Sequence, residues 1–355
     1  MKKVLFATTA LVVTAGIAAA DVSLSGRAEM GVNGGNNGGT APTDVNTGFF
    51  TDIDVTFTLS GETDGGITFG AAIDIDESTV ADTAAGGSTN GAFGNNADDG
   101  GIAIFISGDF GTLTMGDTDG ALDFAMQEAA AGNAGSLADD ETAHAGYLGS
   151  YGDGAYDGQI LRYDYSFDQF TFAVSVEMDD ATAGTRDTGY AVGATYTFSF
   201  SGGSATVGGG VQFIDAANYN PGNTANYTGQ DLDGEYMIIG VSAAVSLDNG
   251  LSAAIAYTDY SSEEATPDDE YTHIGVGAGY TFDAITVSAN YGMWDITPDG
   301  GAPAEEISGF GFAAAYDFGG GLSAHLGYGM SETDAAGANA SYAESTWSFG
   351  LAMSF

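Results

Sequence analysis

The 355-residue chain has no cysteine, which excludes disulfides, zinc–thiolate sites and thiol catalysis. It is almost as poor in positive charge: five Lys and Arg stand against 49 Asp and Glu, a formal net charge of −44. Lys2 and Lys3 sit in a segment expected to be removed, so the remaining basic residues are Arg27, Arg162 and Arg186. Nucleic acid is argued against as a partner, because phosphate binding needs a basic surface. Cations should be drawn in and anions repelled; part of the acidic excess also fits solubility or a salty habitat. Histidine is scarce as well. His144, His273 and His325 lie far apart, and neither G-x-S-x-G nor H-E-x-x-H occurs, so neither a nucleophile–base pair nor a metal site of hydrolase type is in view and the chain reads as no enzyme. The G-G-x-G-x-D nonapeptide of calcium-binding β-rolls is absent too. Beyond residue 20 no apolar run reaches the about 18 residues that a membrane-spanning helix needs.

What is present begins with an export leader. Lys2 and Lys3 are followed by an apolar stretch from Val4 to Ile17 and by Ala18-Ala19-Ala20 before Asp21, the layout of a cleaved signal peptide over 1–20. Aromatics are plentiful, with 21 Phe and 18 Tyr, and recur at regular intervals, which argues against disorder. The segment Trp347 to Phe355 reads W-S-F-G-L-A-M-S-F. Large apolar and small groups alternate there, and successive strand side chains point to opposite faces. Tight-turn phrases such as Leu247-Asp-Asn-Gly-Leu251 and Tyr280-Thr-Phe-Asp-Ala-Ile285 join alternating runs. Longer polar stretches rich in Asp, Asn, Gly and Thr lie between them. Short turns at one end and long loops at the other predict a transmembrane antiparallel β-barrel of about 16 strands, a single unit over 21–355. Fourteen or eighteen strands stay open, because 78–100 could hold a further hairpin.

Charge tests the alternation. One parity carries Val22, Leu24, Ile53, Val55, Phe57, Phe172 and Val174 with no charge. The other carries Arg27, Glu29, Asp52, Asp54, Asp74, Asp76, Arg162, Asp164, Glu177, His273 and His325. A soluble sandwich would also alternate, but its outer face would normally carry lysine. A charge at the bilayer midplane costs about 2–4 kcal/mol, which puts the apolar parity against lipid and the charged parity around water. Phe167, Phe198, Phe282, Phe318 and Phe355 near strand ends are expected to form an aromatic girdle. Between Met115 and Ile160 the rhythm fails. A helix-like piece, Ala121 to Ala131, and the apolar Leu122, Phe124, Met126, Leu137, Tyr147 and Leu148 give this stretch something to pack against. Structureless loops of such length are usually functional, so it is expected to fold inward and narrow the pore.

The start Asp21-Val-Ser-Leu-Ser-Gly-Arg-Ala-Glu-Met-Gly-Val32, the phrase Ile106-Ser-Gly-Asp-Phe-Gly-Thr-Leu-Thr-Met-Gly-Asp117 and the terminal Phe355 resemble the general porins of alphaproteobacteria. The resemblance implies a homotrimer of sixteen-stranded barrels in a Gram-negative outer membrane, each narrowed by its third outer loop, which matches 117–159 here. It implies an acidic loop side, matched by Asp117, Asp119, Asp123, Glu128, Asp139, Asp140 and Glu141, facing a basic wall cluster. That cluster is depleted to Arg27 and Arg162, on a wall otherwise carrying Glu29, Asp52, Asp54, Asp74, Asp76 and Asp164. The expected function is passive diffusion of small hydrophilic solutes and ions with a preference for cations; a solute-specific channel or a surface adhesin is the alternative. Outer-membrane lipid, lipopolysaccharide and further copies of the chain are the expected partners. Duller readings stand beside these. Arg27 and Arg162 could simply pair with Glu29 and Asp164, two residues away. Asp139-Asp140-Glu141 could be a solvated turn rather than a structural Ca²⁺ site, and no other cofactor is expected.

Overall fold

The computed structural model describes residues 21–36, 44–76, 102–139, 141–156, 159–179, 186–219, 232–263, 270–297, 304–334 and 342–355. The leader over 1–20 and the stretch 78–100 lie outside the described residues. Alternating runs become strands: β1 (Asp21–Asn36), β2 (Asp44–Glu62), β3 (Thr68–Asp76), β4 (Ala103–Gly108), β5 (Gly111–Gly116), β6 (Ile160–Phe167), β7 (Phe170–Glu177) and β8 (Gly189–Phe200). The second half adds β9 (Gly203–Tyr219), β10 (Leu232–Leu247), β11 (Leu251–Ser262), β12 (Glu270–Phe282), β13 (Ile285–Thr297), β14 (Glu305–Gly319), β15 (Leu322–Asp334) and β16 (Tyr342–Ser354). Each pairs antiparallel with its sequence neighbours, and β1 pairs with β16 to close a sixteen-stranded barrel. Closure leaves no sheet edge, so every strand can satisfy its backbone groups within the barrel wall. No helix among the described residues is long and apolar enough to cross a membrane.

The two parities separate as the charge pattern requires. Val22, Leu24, Ile53, Phe57, Val174 and Phe349 are exposed on the outside, Phe349 at 56%. Glu29, Glu177, His273 and His325 are buried on the inside. The expected girdle residues Phe167, Phe198, Phe282, Phe318 and Phe355 are all exposed, and four of them meet a ring along or across from their strand, as in Phe167–Phe170, Tyr196–Phe198, Tyr280–Phe282 and Tyr316–Phe318. Asp168 and Asp283 take φ of 52° in the two-residue turns after β6 and β12, a backbone region that Asp tolerates better than most residues.

Two expectations are corrected. Strands on the long-loop side run further than the alternating runs at 204–214 and 235–247 indicate: β9 extends to Tyr219 and β10 starts at Leu232. In that outer half the inward parity is not uniformly polar. Ile214, Leu232, Tyr236, Ile238, Tyr260, Tyr271, Trp294, Ile296 and Ile307 point inward and form a buried core with Leu122, Met126, Leu148 and Tyr151. The barrel interior therefore contains a packed apolar layer as well as charged wall, because part of its wall faces protein rather than water.

Candidate functional site

That protein is the stretch after β5. It leaves the strand end, crosses the barrel interior and returns to β6. A short helix, α1 (Ala121–Ala125), packs on β7, β8 and β9, and a single 3₁₀ turn (Leu137–Asp139) packs on β1, β15 and β16. The outbound leg lies nearer the short turns, where Ala129 meets Gly277 of β12 and the Ala134 amide meets Ser288 of β13. The returning leg lies nearer the long loops, with Gly146 on Gly292 of β13 and His144 on Gly309 of β14.

The wall receives this segment with glycine and serine. A Cβ on Gly193, Gly208, Gly277, Gly279 or Gly292 would collide with the carbonyl oxygen of Ala121, Ala125, Ala129, Gly132 or Gly146 respectively. Glycine within a strand permits such close backbone approach. Serine hydroxyls accept from the amides that this burial would otherwise orphan: Ser175 from Ala121 at 2.8 Å, Ser242 from Gln127 at 2.8 Å, Ser288 from Ala134 at 2.9 Å and Ser331 from Ala145 at 3.0 Å. Gln212 Oε1 accepts from Gly152 at 3.2 Å, and Asn290 donates to the Thr142 carbonyl at 2.7 Å. Each buried amide left unmet would cost about 1–3 kcal/mol. The same chemistry corrects the expected helix over 121–131. It stops at Met126, whose ψ is 151°, and the next amide, Gln127, turns to Ser242. The wall takes over the role of the helix ladder there.

None of the three arginines offers an unpaired charge. Arg27 Nη2 lies 2.5 Å from Glu29 Oε1. Arg162 donates from Nη1 to the Asp119 carbonyl at 2.6 Å, stacks over Phe124 at 4.1 Å and has Asp164 Oδ1 at 3.5 Å from Nε. The pairings with Glu29 and Asp164 are thus both present, and Arg162 also pins the start of the segment. Arg186 donates to Asp179 at 2.9 Å and to the Ala155 carbonyl at 2.7 Å, and lies over the Tyr156 ring, so it clasps the segment's far end.

The acidic candidates part company. Asp117 and Asp119 are exposed, Asp119 with a side-chain exposure of 62%. Asp139 takes a left-handed φ of 53° and accepts from the Ser136 amide at 3.0 Å. Glu141 is buried and accepts from Ser348 at 2.8 Å. These two carboxylates therefore serve different partners, and no cluster of three or more metal-binding side chains exists among the described residues. Asp140 and the Asp76 side chain lie outside the described residues. On the wall, Asp52, Asp54 and Asp74 are half-buried on the inner face of β2 and β3.

Asp123 and Glu128 form a set with Asp153, Tyr147 and Tyr151 that sequence reading left incomplete. Glu128 accepts from the Tyr147 hydroxyl, and Asp153 accepts from the Gly120 amide and from Gln212 at 2.8 Å. Burial, reinforced by Asp153, Asp119 and Glu128, pushes Asp123 up to about 9. Burial also raises Glu128, and lifts Asp153 to about 6. Tyr147 and Tyr151 are held well above the ordinary phenol value by burial and the carboxylates beside them. Asp123 is therefore uncharged at neutral pH. Asp123→Asn should leave the neutral-pH reversal potential in a salt gradient unchanged; a shift toward anions would mean that Asp123 carries charge there.

A closed barrel, apolar outside and charged inside with a chain segment held in its interior, defines a channel of the transmembrane β-barrel class. The sequence profile of the Gram-negative porin family matches residues 7–336. The chain belongs to that family, whose members are channels of the outer membrane. A porin of Rhodobacter capsulatus is 29% identical over 315 residues, covering 85% of this chain and 92% of that protein. A porin structure refined at 1.8 Å superposes with a TM-score of 0.63 at 24% identity, covering 94% of this chain and all of the other. An anion-selective porin from Comamonas acidovorans superposes with a TM-score of 0.60 at 13% identity, over 95% of this chain and 100% of its own.

Proposed function

We propose that this porin is a general diffusion channel for small hydrophilic solutes and ions, narrowed by residues 117–159 and biased toward cations. The leader over 1–20 would be removed on export, and the mature barrel over 21–355 would assemble as a trimer, a reading that rests on the family resemblance alone. The water passage runs between the seated segment and the inner face of β2 and β3. The observation that carries the cation bias is the fate of the arginines: each is held by a carboxylate, two of them by backbone carbonyls as well, while Asp117 and Asp119 are exposed and Asp52, Asp54 and Asp74 line the opposite wall. Fixed carboxylates around a narrow aqueous path concentrate cations by several kT without any energy input. In planar bilayers under a KCl gradient the reversal potential should have the sign of K⁺ preference and should shrink at high salt as the charges are screened. An anion preference would defeat the charge argument while leaving the porin assignment intact.

A further inference from the structure

The tip of the returning leg carries one imidazole and meets a second from the wall, and passive diffusion uses neither. His144 Nδ1 accepts from the Gly146 amide at 3.2 Å. His273 of β12 reaches the same residue, with Nε2 2.8 Å from the Gly146 carbonyl oxygen. These partners fix both tautomers. An amide N–H only donates, so His144 Nδ1 is the bare nitrogen and the ring proton sits on Nε2. A carbonyl oxygen only accepts, so His273 carries its proton on Nε2. His144 is therefore neutral in the seated state.

The surroundings oppose charge. His144 is 5% exposed and His273 2%. His273 lies 4.6 Å from the Trp294 ring, which in turn lies 5.7 Å from Tyr260. His144 Nε2, His273 Nδ1, Thr258 Oγ1, Trp294 Nε1 and Asn290 Oδ1 complete no hydrogen bond. The groups around His144 are His273 from β12, Asn290 from β13, Gly309 from β14, Ser331 from β15 through the Ala145 amide, and Tyr147 within the segment. None of these is a carboxylate. Glu128 is taken up by Tyr147, and Glu141 by Ser348.

We infer that the His144–Gly146–His273 clamp is an acid-sensitive fastening of the inward segment. A proton added at His144 Nδ1 sets an N–H against the Gly146 N–H, which opens the local turn that presents the Gly146 carbonyl to His273, and the tip over 143–147 comes off the wall. This deepens the constriction reading above and depends on it. Burial, followed by repulsion from His273, lowers His144 from 6.5 to about 4, with Asn290 opposing in part. The seated state thus favours the neutral ring. Seating is at full strength above pH 6.5 and weakens as pH falls toward 4. The wall stands behind the tip, so release carries it into the passage, and acid should produce bursts of closure.

Single-channel recordings of the purified full-length porin from neutral pH down to pH 4 test this. The wild type should show closures whose midpoint falls between pH 6.5 and 4. His144→Asn keeps an acceptor near the Nδ1 position but takes up no proton; its conductance should equal that of the wild type at neutral pH, and the acid closures should be lost. His273→Gln keeps a donor for the Gly146 carbonyl and should retain them. A wild type without acid closures, or a His144→Asn variant that closes like the wild type, overturns the clamp. If His144→Asn does not insert, NMR of histidine-labelled wild type decides: a charged His144 or an Nδ1–H tautomer at neutral pH is fatal. The constriction reading fails separately, through the deletion described below.

Discussion

Gly277→Val should push the inward segment off its seat and lower single-channel conductance, while the barrel stays closed and inserted. The side chain of residue 277 points to the interior, and a Cβ there would occupy the position of the Ala129 carbonyl oxygen. No rotamer relieves the clash, because the obstacle is backbone on both sides. The wall cannot yield easily either: Gly277 pairs with Ala254 of β11 and Asn290 of β13 in an unbroken ladder. Overpacking of this kind typically costs about 1–3 kcal/mol. That exceeds what one serine–amide hydrogen bond, at about 0.5–1.5 kcal/mol, contributes to seating. The segment should therefore move inward, narrowing the passage and adding open-channel noise. Val276→Ala, one residue away on the lipid face, is the control and should leave conductance alone. Unchanged conductance in Gly277→Val would mean that the segment around Ala129 does not border the passage.

Deleting 121–148 should have the opposite effect, and a larger one. Conductance should rise, because the segment that shares the interior with water is gone. Stability should fall at the same time. Leu122, Met126 and Leu148 leave the inner core, and Tyr236, Ile238, Tyr260 and Trp294 lose their cover. Each fully buried side chain of this size contributes about 1.5–3 kcal/mol, so several such losses should lower the thermal denaturation temperature of the barrel in detergent markedly. A deletion variant with wild-type conductance would place the segment outside the passage. A wider pore with unchanged stability would instead show that the inner aromatic layer packs on itself without the segment.

The strands were legible because the bilayer enforces their pattern. Residues 111–116 and 160–167, read from alternation, coincide with β5 and β6. The even count and the single closed barrel follow from the same partition between lipid and water. Legibility stopped at the interior. Alternation reports which face a residue takes, not what stands across from it, so His273 and His325 were placed inward correctly but read as water-facing wall. Both are buried, each against a backbone carbonyl of the segment, Gly146 and Gly135. Ile214 and Trp294 broke the polar rule for the inward face without a local reason, since their partners lie far away in sequence. Asp123 and Glu128 were taken as constriction charges because acidity is visible in a sequence and burial is not. One signal for the seat was present all along. Gly275, Gly277 and Gly279 in β12, Gly309 and Gly311 in β14, and Gly327 and Gly329 in β15 recur on a single parity, where a lumen open to water would have had no use for missing side chains.

Main chain rests on main chain at Gly208, Gly277 and Gly292, and this leaves neither partner room to grow. A Cβ on Gly146 would collide with the Gly292 carbonyl oxygen, and Ala125 and Ala129 are themselves buried against the wall. The staves cannot add even a methyl group there. Channel bore is thus encoded in the staves as much as in the loop, and even a glycine-to-alanine exchange on β9, β12 or β13 should displace the loop rather than be absorbed.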